Sequence, residues 1–330
     1  MPRSARSAQN VSPAQSPAAF TRRRRCRSPE QSRVGRGSGG SRQSAVGSRQ
    51  SVCYLIPTAD CRLPTAGAPP LIVATWNVNS VRQRLPHLLD YLKEQGPDAL
   101  CLQETKCVDE AFPRAEIEDL GYNVAIHGQK GFNGVAILAK RPFEVQRGLP
   151  GDPDDAQARY IEAVIPVARG ALRLACIYLP NGNPAPGEKY SYKLAFMDRL
   201  IRHARGLLAY EEPLALAGDF NVIPEPRDAA QPEAWTKDAL FLPETRAKFR
   251  ELCALGFTDA LRAVSDEKGL YTFWDYQAGA WQRNNGIRID HVLLSPQAAD
   301  RFDTAVVDKE MRGREKASDH VPVRVALRDV

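Results

Sequence analysis

Five times along this chain a short apolar run stops at a carboxylate, a carboxamide or an imidazole. LIVATWN closes on Asn77, ALCLQE on Glu104, LALAGDFN on Asp219 and Asn221, and GIRID on Asp290, while ASDHVPV carries Asp319 and His320. Runs of this length, rich in aliphatic and β-branched residues, read as buried strands. A strand end in a rigid sheet is where a side chain can be presented to a shared site. A single acid there is explained by a turn or a helix cap. Five repetitions point instead to strand ends that converge. Acids and amides without a cysteine ligand suit a hard, oxygen-seeking cation, Mg2+ or as its substitute Mn2+.

Between these runs the pattern switches to helical spacing. Strands are expected at Leu71–Trp76, Ala99–Leu102, Gly134–Leu138, Ala158–Val167, Leu172–Tyr178, Leu214–Ala217, Ile287–Leu294 and Val321–Ala326. Helices are expected at Arg84–Glu94, where Leu85, Leu88, Leu89 and Leu92 share one face, and at Tyr190–Leu208 and Thr245–Leu255. This alternation makes residues 71–330 one α/β domain.

Residues 1–70 differ in kind. They hold 12 Arg, 11 Ser and only two acids, Glu30 and Asp60, a net charge of +10 that leaves −4 for residues 71–330 out of the chain's +6. Such a composition cannot bury enough apolar surface to offset its ordering entropy, so the segment reads as a disordered leader. It fits an organellar targeting peptide or a basic arm that adds nucleic-acid affinity. A third account, an upstream start with the protein proper beginning near Leu71, is favoured because the folded pattern begins abruptly there. It requires a non-Met start, since the nearest internal methionine is Met197. No run approaches the ~18 apolar residues of a membrane span. The seven scattered cysteines, at positions 26, 53, 61, 101, 107, 176 and 253, contain no CxxC pair. They argue against a disulfide framework and suit a reducing, cytoplasmic setting.

The eight segments TWNVNSVR (75–82), LQETK (102–106), GQKGFNGVAIL (128–138), YLPNG (178–182), GDFNV (218–222), YTFWDY (271–276), GIRIDHVLLS (286–295) and SDHVPV (318–323) stand in this order. Together they resemble the exonuclease III family, with its apurinic/apyrimidinic (AP) endonuclease relatives, within the endonuclease/exonuclease/phosphatase superfamily. The resemblance covers residues 71–330 and none of 1–70. It implies a four-layer α/β/β/α sandwich, two packed mixed sheets flanked by helices.

Carried over residue by residue, the resemblance implies that Glu104 and Asn77 hold the metal, and that Asp219 aligns or activates the attacking water with Asn221 as its orienting partner. His320 matches the family's essential histidine and Asp290 the carboxylate that orients it. Asp219, Asn221, Asp319 and His320 join the metal's surroundings, and Tyr178 matches a donor to the scissile phosphate. Lys130, Arg159 and Lys193 are expected to meet DNA phosphates, since DNA needs positive charge on a domain of net −4. Phe273, Trp274 and Ile287 match an apolar pocket for a sugar without its base. His87 and His203 lie on helices and take no role, and alternation turns His291 away from Asp290. The chain departs from the family pattern GQKGHYG at Phe132 and Asn133, and the segment 278–285 carries its own Trp281 and Arg283.

The expected activity is a Mg2+-dependent phosphodiesterase of DNA repair. It would cut 5′ to abasic sites in double-stranded DNA and trim blocked 3′ ends in the 3′→5′ direction, as a monomer with no membrane role. A phosphatase acting on small phosphoesters and a catalytically silent nucleic-acid-binding relative are the alternatives. The second of these would require lost site residues, and all six polar site residues are present.

Overall fold

The computed structural model describes residues 69–328, so the arginine-rich segment lies outside the described residues except for Pro69 and Pro70. Twelve strands follow: β1 (Leu71–Asn77), β2 (Ala99–Gln103), β3 (Asn123–His127), β4 (Val135–Ala139), β5 (Glu144–Arg147), β6 (Tyr160–Pro166), β7 (Ala171–Tyr178), β8 (Leu214–Asp219), β9 (Thr258–Asp259), β10 (Asp290–Leu294), β11 (Phe302–Val307) and β12 (Val323–Leu327). The helices are α1 (Val81–Glu94), α2 (Arg114–Glu118), α3 (Glu188–Leu208), α4 (Pro243–Ala254), α5 (Ala260–Val264) and α6 (Pro296–Ala299). Two six-stranded mixed sheets form, ordered β11-β12-β1-β2-β4-β3 and β5-β6-β7-β8-β10-β9.

Strand alternation sorts the side chains into layers. Leu71 and Val73 of β1, Cys101 of β2 and Ile137 of β4 meet Ile161, Leu174, Cys176, Ala217 and Val292 of the other sheet in a shared core. On the outer face of the first sheet, Ala74, Trp76, Leu100 and Leu102 receive Leu88, Tyr91 and Leu92 of α1. On the outer face of the second, Ala175, Leu214, Leu216 and Leu293 receive Phe196 and Leu200 of α3 and Phe249 of α4. The result is helix, sheet, sheet, helix, the four-layer sandwich. The central strands are apolar on both faces, which is why β1, β2, β4 and β8 read as continuous apolar runs rather than alternating ones. Cys101, Cys107, Cys176 and Cys253 are free thiols, the first three of them buried. Among the described residues no helix is long and apolar enough to cross a membrane.

Parity also decides what reaches the rim. Asn77 continues the inward set of Leu71 and Val73, Asp219 that of Ala215 and Ala217, and Asp290 that of Val292 and Leu294. All three therefore sit at strand ends on the face between the sheets. The junction at Asp219 is tight. Gly218 has φ +156°, and a Cβ there would lie 1.9 Å from the carbonyl oxygen of Ile177 on the paired strand β7. Backbone cannot yield that distance, so Gly218→Ala is expected to cost about 3 kcal/mol or more. A urea denaturation midpoint unchanged from wild type would refute that expectation.

Candidate active site

Pairing within the second sheet brings three side chains together at one rim. Tyr178 is in register with Asp219 across the parallel β7–β8 pair, and Asp219 with Asp290 across the antiparallel β8–β10 pair. From the first sheet, Asn77 pairs in register with Gln103, immediately before Glu104. The Asn77 amide nitrogen joins the two sheets, donating to Glu104 Oε1 and to Asp219 Oδ2, both at 2.9 Å. A cleft of about 160 Å3 opens there, lined among others by Glu104, Tyr178, Asp219, Asn221, Asp319 and His320.

The backbone around the cleft is strained. Asn79, Glu104, Lys106 and Asn221 all hold left-handed conformations, with φ between 45° and 54°. Such angles cost non-glycine residues of order 1 kcal/mol each and persist only where the surroundings enforce them. Here the loop after β1 bonds to the loop after β2, Val78 N–H to Gln103 O at 3.0 Å and Ser80 N–H to Glu104 O at 2.7 Å. Burial alone would raise the Glu104 carboxyl. The Lys106 ammonium at 2.7 Å and the Asn77 amide outweigh it and hold the carboxyl below its ordinary value. Lys106 stands in the LQETK motif, where sequence reasoning assigned it no role.

Asp219 is fully enclosed. Its Oδ1 accepts from the Asn221 backbone N–H at 2.9 Å, an Asx turn that coexists with its place in the cleft. Burial, with the negative charges of Asp290 and Glu104, pushes its carboxyl up to about 7, against the opposing pull of His320. Asn221 donates its amide to Leu179 O at 2.9 Å and accepts from the Asn181 amide at 3.2 Å, so the YLPNG and GDFN loops hold each other.

Lys193, expected at a DNA phosphate, is instead completely buried. Its ammonium donates to Asn181 O at 2.9 Å and Asn221 O at 2.6 Å, behind the cleft rather than on its surface. Burial pulls it down to about 7. The reason is helical period. Lys193 lies three and four residues before Phe196 and Met197, on the face of α3 that packs on the sheet. Gly182 makes room for it, since a Cβ there would come within 2.6 Å of Lys193 Cδ.

His320 Nδ1 bonds Asp290 Oδ2 at 2.8 Å, and Nε2 points toward Asp219 Oδ2 at 3.8 Å. The other Asp290 oxygen is buried without a hydrogen-bond partner, so the imidazole is the main compensation for that charge. Burial opposes protonation of His320, but Asp290 and Asp219 outweigh it and raise the ring to about 10. The side chain is thus an imidazolium at neutral pH, which makes it a donor. The ring also lies beside the oxygens of Glu104 and Asp219, in the neighbourhood where the sequence expectation places the ion. His291 faces the opposite way, as alternation requires, with Nδ1 2.9 Å from the buried Arg288 guanidinium and Nε2 3.0 Å from Val222 O.

The remaining expected residues divide. Tyr178 faces Glu104 and Asp219. Burial, then the negative charge of these acids, holds its hydroxyl well above the ordinary phenol value, so it keeps its proton. Arg159 lies 4.8 Å over the Tyr178 ring, its Nε donating to Gln157. Asp319 accepts from the Asn79 amide at 3.0 Å at the cleft edge. Lys130 is exposed on the loop before β4. Phe273 and Ile287 line the cleft. Trp274 does not: it is fully buried with Tyr271 and Trp281, since alternation after Phe273 turns it into the helix-side core. Ile289, Leu240 and Trp235 complete the apolar wall, and sequence reasoning singled out none of them.

Oxygen donors of Glu104 and Asp219 lie within 4.8 Å of one another and of a His320 ring nitrogen, among the described residues the sole such group. A hard divalent ion fits the Glu104 and Asp219 carboxylates, which the Asn77 amide nitrogen holds together. A sequence model described as the endonuclease/exonuclease/phosphatase family matches residues 74–320. Exodeoxyribonuclease III of Haemophilus influenzae is 36% identical over 259 residues, covering 76% of this chain and 97% of that protein. Among solved structures, the 3′-5′ exonuclease NExo of Neisseria meningitidis superposes with a TM-score of 0.75 at 37% identity, over 78% of this chain and 99% of that one. An AP endonuclease from Archaeoglobus fulgidus gives 0.74 at 38% identity, over 79% and 100%. The matched stretch runs from Ala74 to His320 and contains nearly every strand end that builds this cleft, and on that footing the chain belongs to the endonuclease/exonuclease/phosphatase family.

Proposed function

We propose that the chain is a divalent-metal-dependent phosphodiesterase of DNA repair, which cuts the backbone 5′ to an abasic site and trims 3′ ends of duplex DNA. The observation that carries this reading is a single small cleft with buried carboxylates and an imidazolium at one side and an apolar wall of Phe273, Ile287 and Ile289 at the other. A deoxyribose without its base meets the apolar wall while its phosphate meets the charged side. The names of the relatives, an exodeoxyribonuclease and an AP endonuclease, agree with it.

Glu104 and Asp219, with Asn77, would hold Mg2+, which when bound supplies a positive charge against the phosphate and polarises water. Asp219 is placed to accept a proton from the attacking water, and Asn221 fixes the carboxylate through its backbone N–H. Negative charge grows on the phosphoryl oxygens as the bond breaks. The His320 imidazolium, held by Asp290, and the Tyr178 hydroxyl donate toward that charge without having to reorient. Arg159 and Lys130 offer positive charge to flanking phosphates.

The test is a duplex with one tetrahydrofuran site, incubated with Mg2+ or with EDTA. Incision at that site, abolished by chelation, is expected. Hydrolysis of small phosphomonoesters with the duplex left intact would overturn the reading. Lys193 separates two roles in the same assay. Lys193→Met removes both carbonyl anchors behind Asn221, and kcat is expected to fall about 10- to 100-fold with KM for the duplex unchanged. A raised KM at constant kcat would restore the phosphate contact that its burial denies.

A further inference from the structure

Beside the catalytic cleft lies a second cavity of about 280 Å3 with a different lining. The two share three walls, Trp235, Phe273 and Ile287. Beyond them the second cavity is edged by polar groups of the 275–285 segment, among them Gln277, Arg283 and Asn285. Asn285 is half-buried, and the side chains of all three residues make no hydrogen bond or ion pair among the described residues. Their donors and acceptors are therefore free, next to two aromatic rings that the catalytic cleft also uses.

Aromatic faces with unpaired amide and guanidinium groups along one side are what a nucleobase requires, the ring stacking while its edge bonds. The catalytic cleft, at about 160 Å3, is too small to take a sugar together with its base. The partition between the two cavities solves that problem for one kind of substrate. We infer that the second cavity receives the base of a 3′-terminal nucleotide whose sugar occupies the catalytic cleft, with Asn285 and Arg283 bonding the base edge. The inference rests on the phosphodiesterase reading above and names a substrate class for it, a frayed or mismatched 3′ end.

In the step so served, water's oxygen bonds to phosphorus and the bond from phosphorus to the 3′ oxygen of the penultimate nucleotide breaks. The products are a nucleoside 5′-monophosphate and a DNA 3′-hydroxyl that takes up a proton. A terminal unpaired base leaves the stack at little cost, whereas an internal paired one does not. Internal cutting is then confined to sites that lack a base.

The test crosses two variants with two substrates. Asn285→Leu and Arg283→Ala are each assayed on a recessed duplex ending in a mismatched 3′ nucleotide, and on the same duplex ending in a 3′ tetrahydrofuran residue. Loss of the edge bonds is expected to lower kcat/KM about five- to tenfold for the end with a base and to leave the baseless end unchanged. Equal effects on the two ends, or none on either, overturn the inference. Incision of an internal tetrahydrofuran site by the wild type is the control. If that fails, the phosphodiesterase reading falls; if it holds while the two ends respond alike, only the base pocket does. Each variant's far-ultraviolet circular dichroism and melting temperature show that it is folded, and either variant alone suffices for the comparison.

Discussion

Asp219→Asn is expected to lower kcat/KM by about 10³- to 10⁴-fold on the tetrahydrofuran duplex, because one substitution removes both the proton acceptor and a carboxylate of the metal site. The same change is expected to stabilise the metal-free protein. The buried carboxyl is raised to about 7 by burial and by Asp290 and Glu104, so the folded state keeps a proton that the unfolded chain releases near pH 4. Stability of the metal-free protein therefore declines as pH rises from about 4 to 7, by about 2–4 kcal/mol from this group. His320 acts in the same direction at higher pH. Its stabilisation is complete below about 6.5, the unfolded value, and is lost as pH rises toward 10.

A divalent ion reverses the first effect, because it takes the place of the proton. Thermal melts in EDTA and in Mg2+ should show a larger metal-induced rise in Tm at pH 8 than at pH 6. Asn at position 219 should remove most of that rise and lift the EDTA melt at pH 8. An unchanged metal response in Asp219→Asn would place the ion elsewhere.

His320→Gln and Asp290→Asn are each expected to reduce kcat by about 10²- to 10³-fold, and the double variant by no more than the worse single. The two act as one unit. The carboxylate holds the ring through a 2.8 Å bond and keeps it charged, while its second oxygen has no other partner. An amide at position 290 keeps the shape and removes the charge, so the ring becomes neutral nearer physiological pH and the donor is lost as pH rises. The kcat–pH profile of Asp290→Asn should therefore fall at lower pH than that of the wild type. Losses that multiply in the double variant would mean that the two residues work separately.

Much of the fold was legible before any coordinates, and the exceptions share one cause. The central strands β1, β2, β4, β6, β7, β8, β10 and β12 are buried on both faces and carry long apolar runs. The strands that periodicity missed, β3, β5, β9 and β11, are the four sheet edges. An edge strand has one neighbour and a partly wet surface. β5 is exposed at all four residues and β11 at three of six, so no apolar run marks them. Boundaries shifted for a related reason. Residues 287–289 were expected in β10 but belong to an irregular stretch whose backbone bonds Phe273 and Asp228, a pairing with no local signature.

At the site, the misplaced residues were ones whose local period was set aside. Spacing from Phe196 and Met197 places Lys193 on the buried face of its helix, and alternation from Phe273 turns Trp274 inward. Trp235 had no such signal, because it acts through neighbours distant in the chain, and Lys106 had none because its reach back to Glu104 depends on left-handed backbone that no apolar period marks.

What the sequence alone determined is the chemistry at the strand ends. Apolar runs must be buried, alternation fixes which face each terminal Asn, Asp or Glu takes, and eight ordered motifs name the family. The tertiary structure decided charge state and access. Asp219 reaches near-neutral affinity because two sheets close over it and exclude water, and His320 stays protonated against that burial because the fold sets Asp290 and Asp219 beside it. Lys193 finds two buried carbonyls and the space beside Gly182, and a second cavity opens between the 275–285 segment and Trp235. Burial and proximity between remote segments are properties of the assembled chain, and no local pattern of residues encodes them.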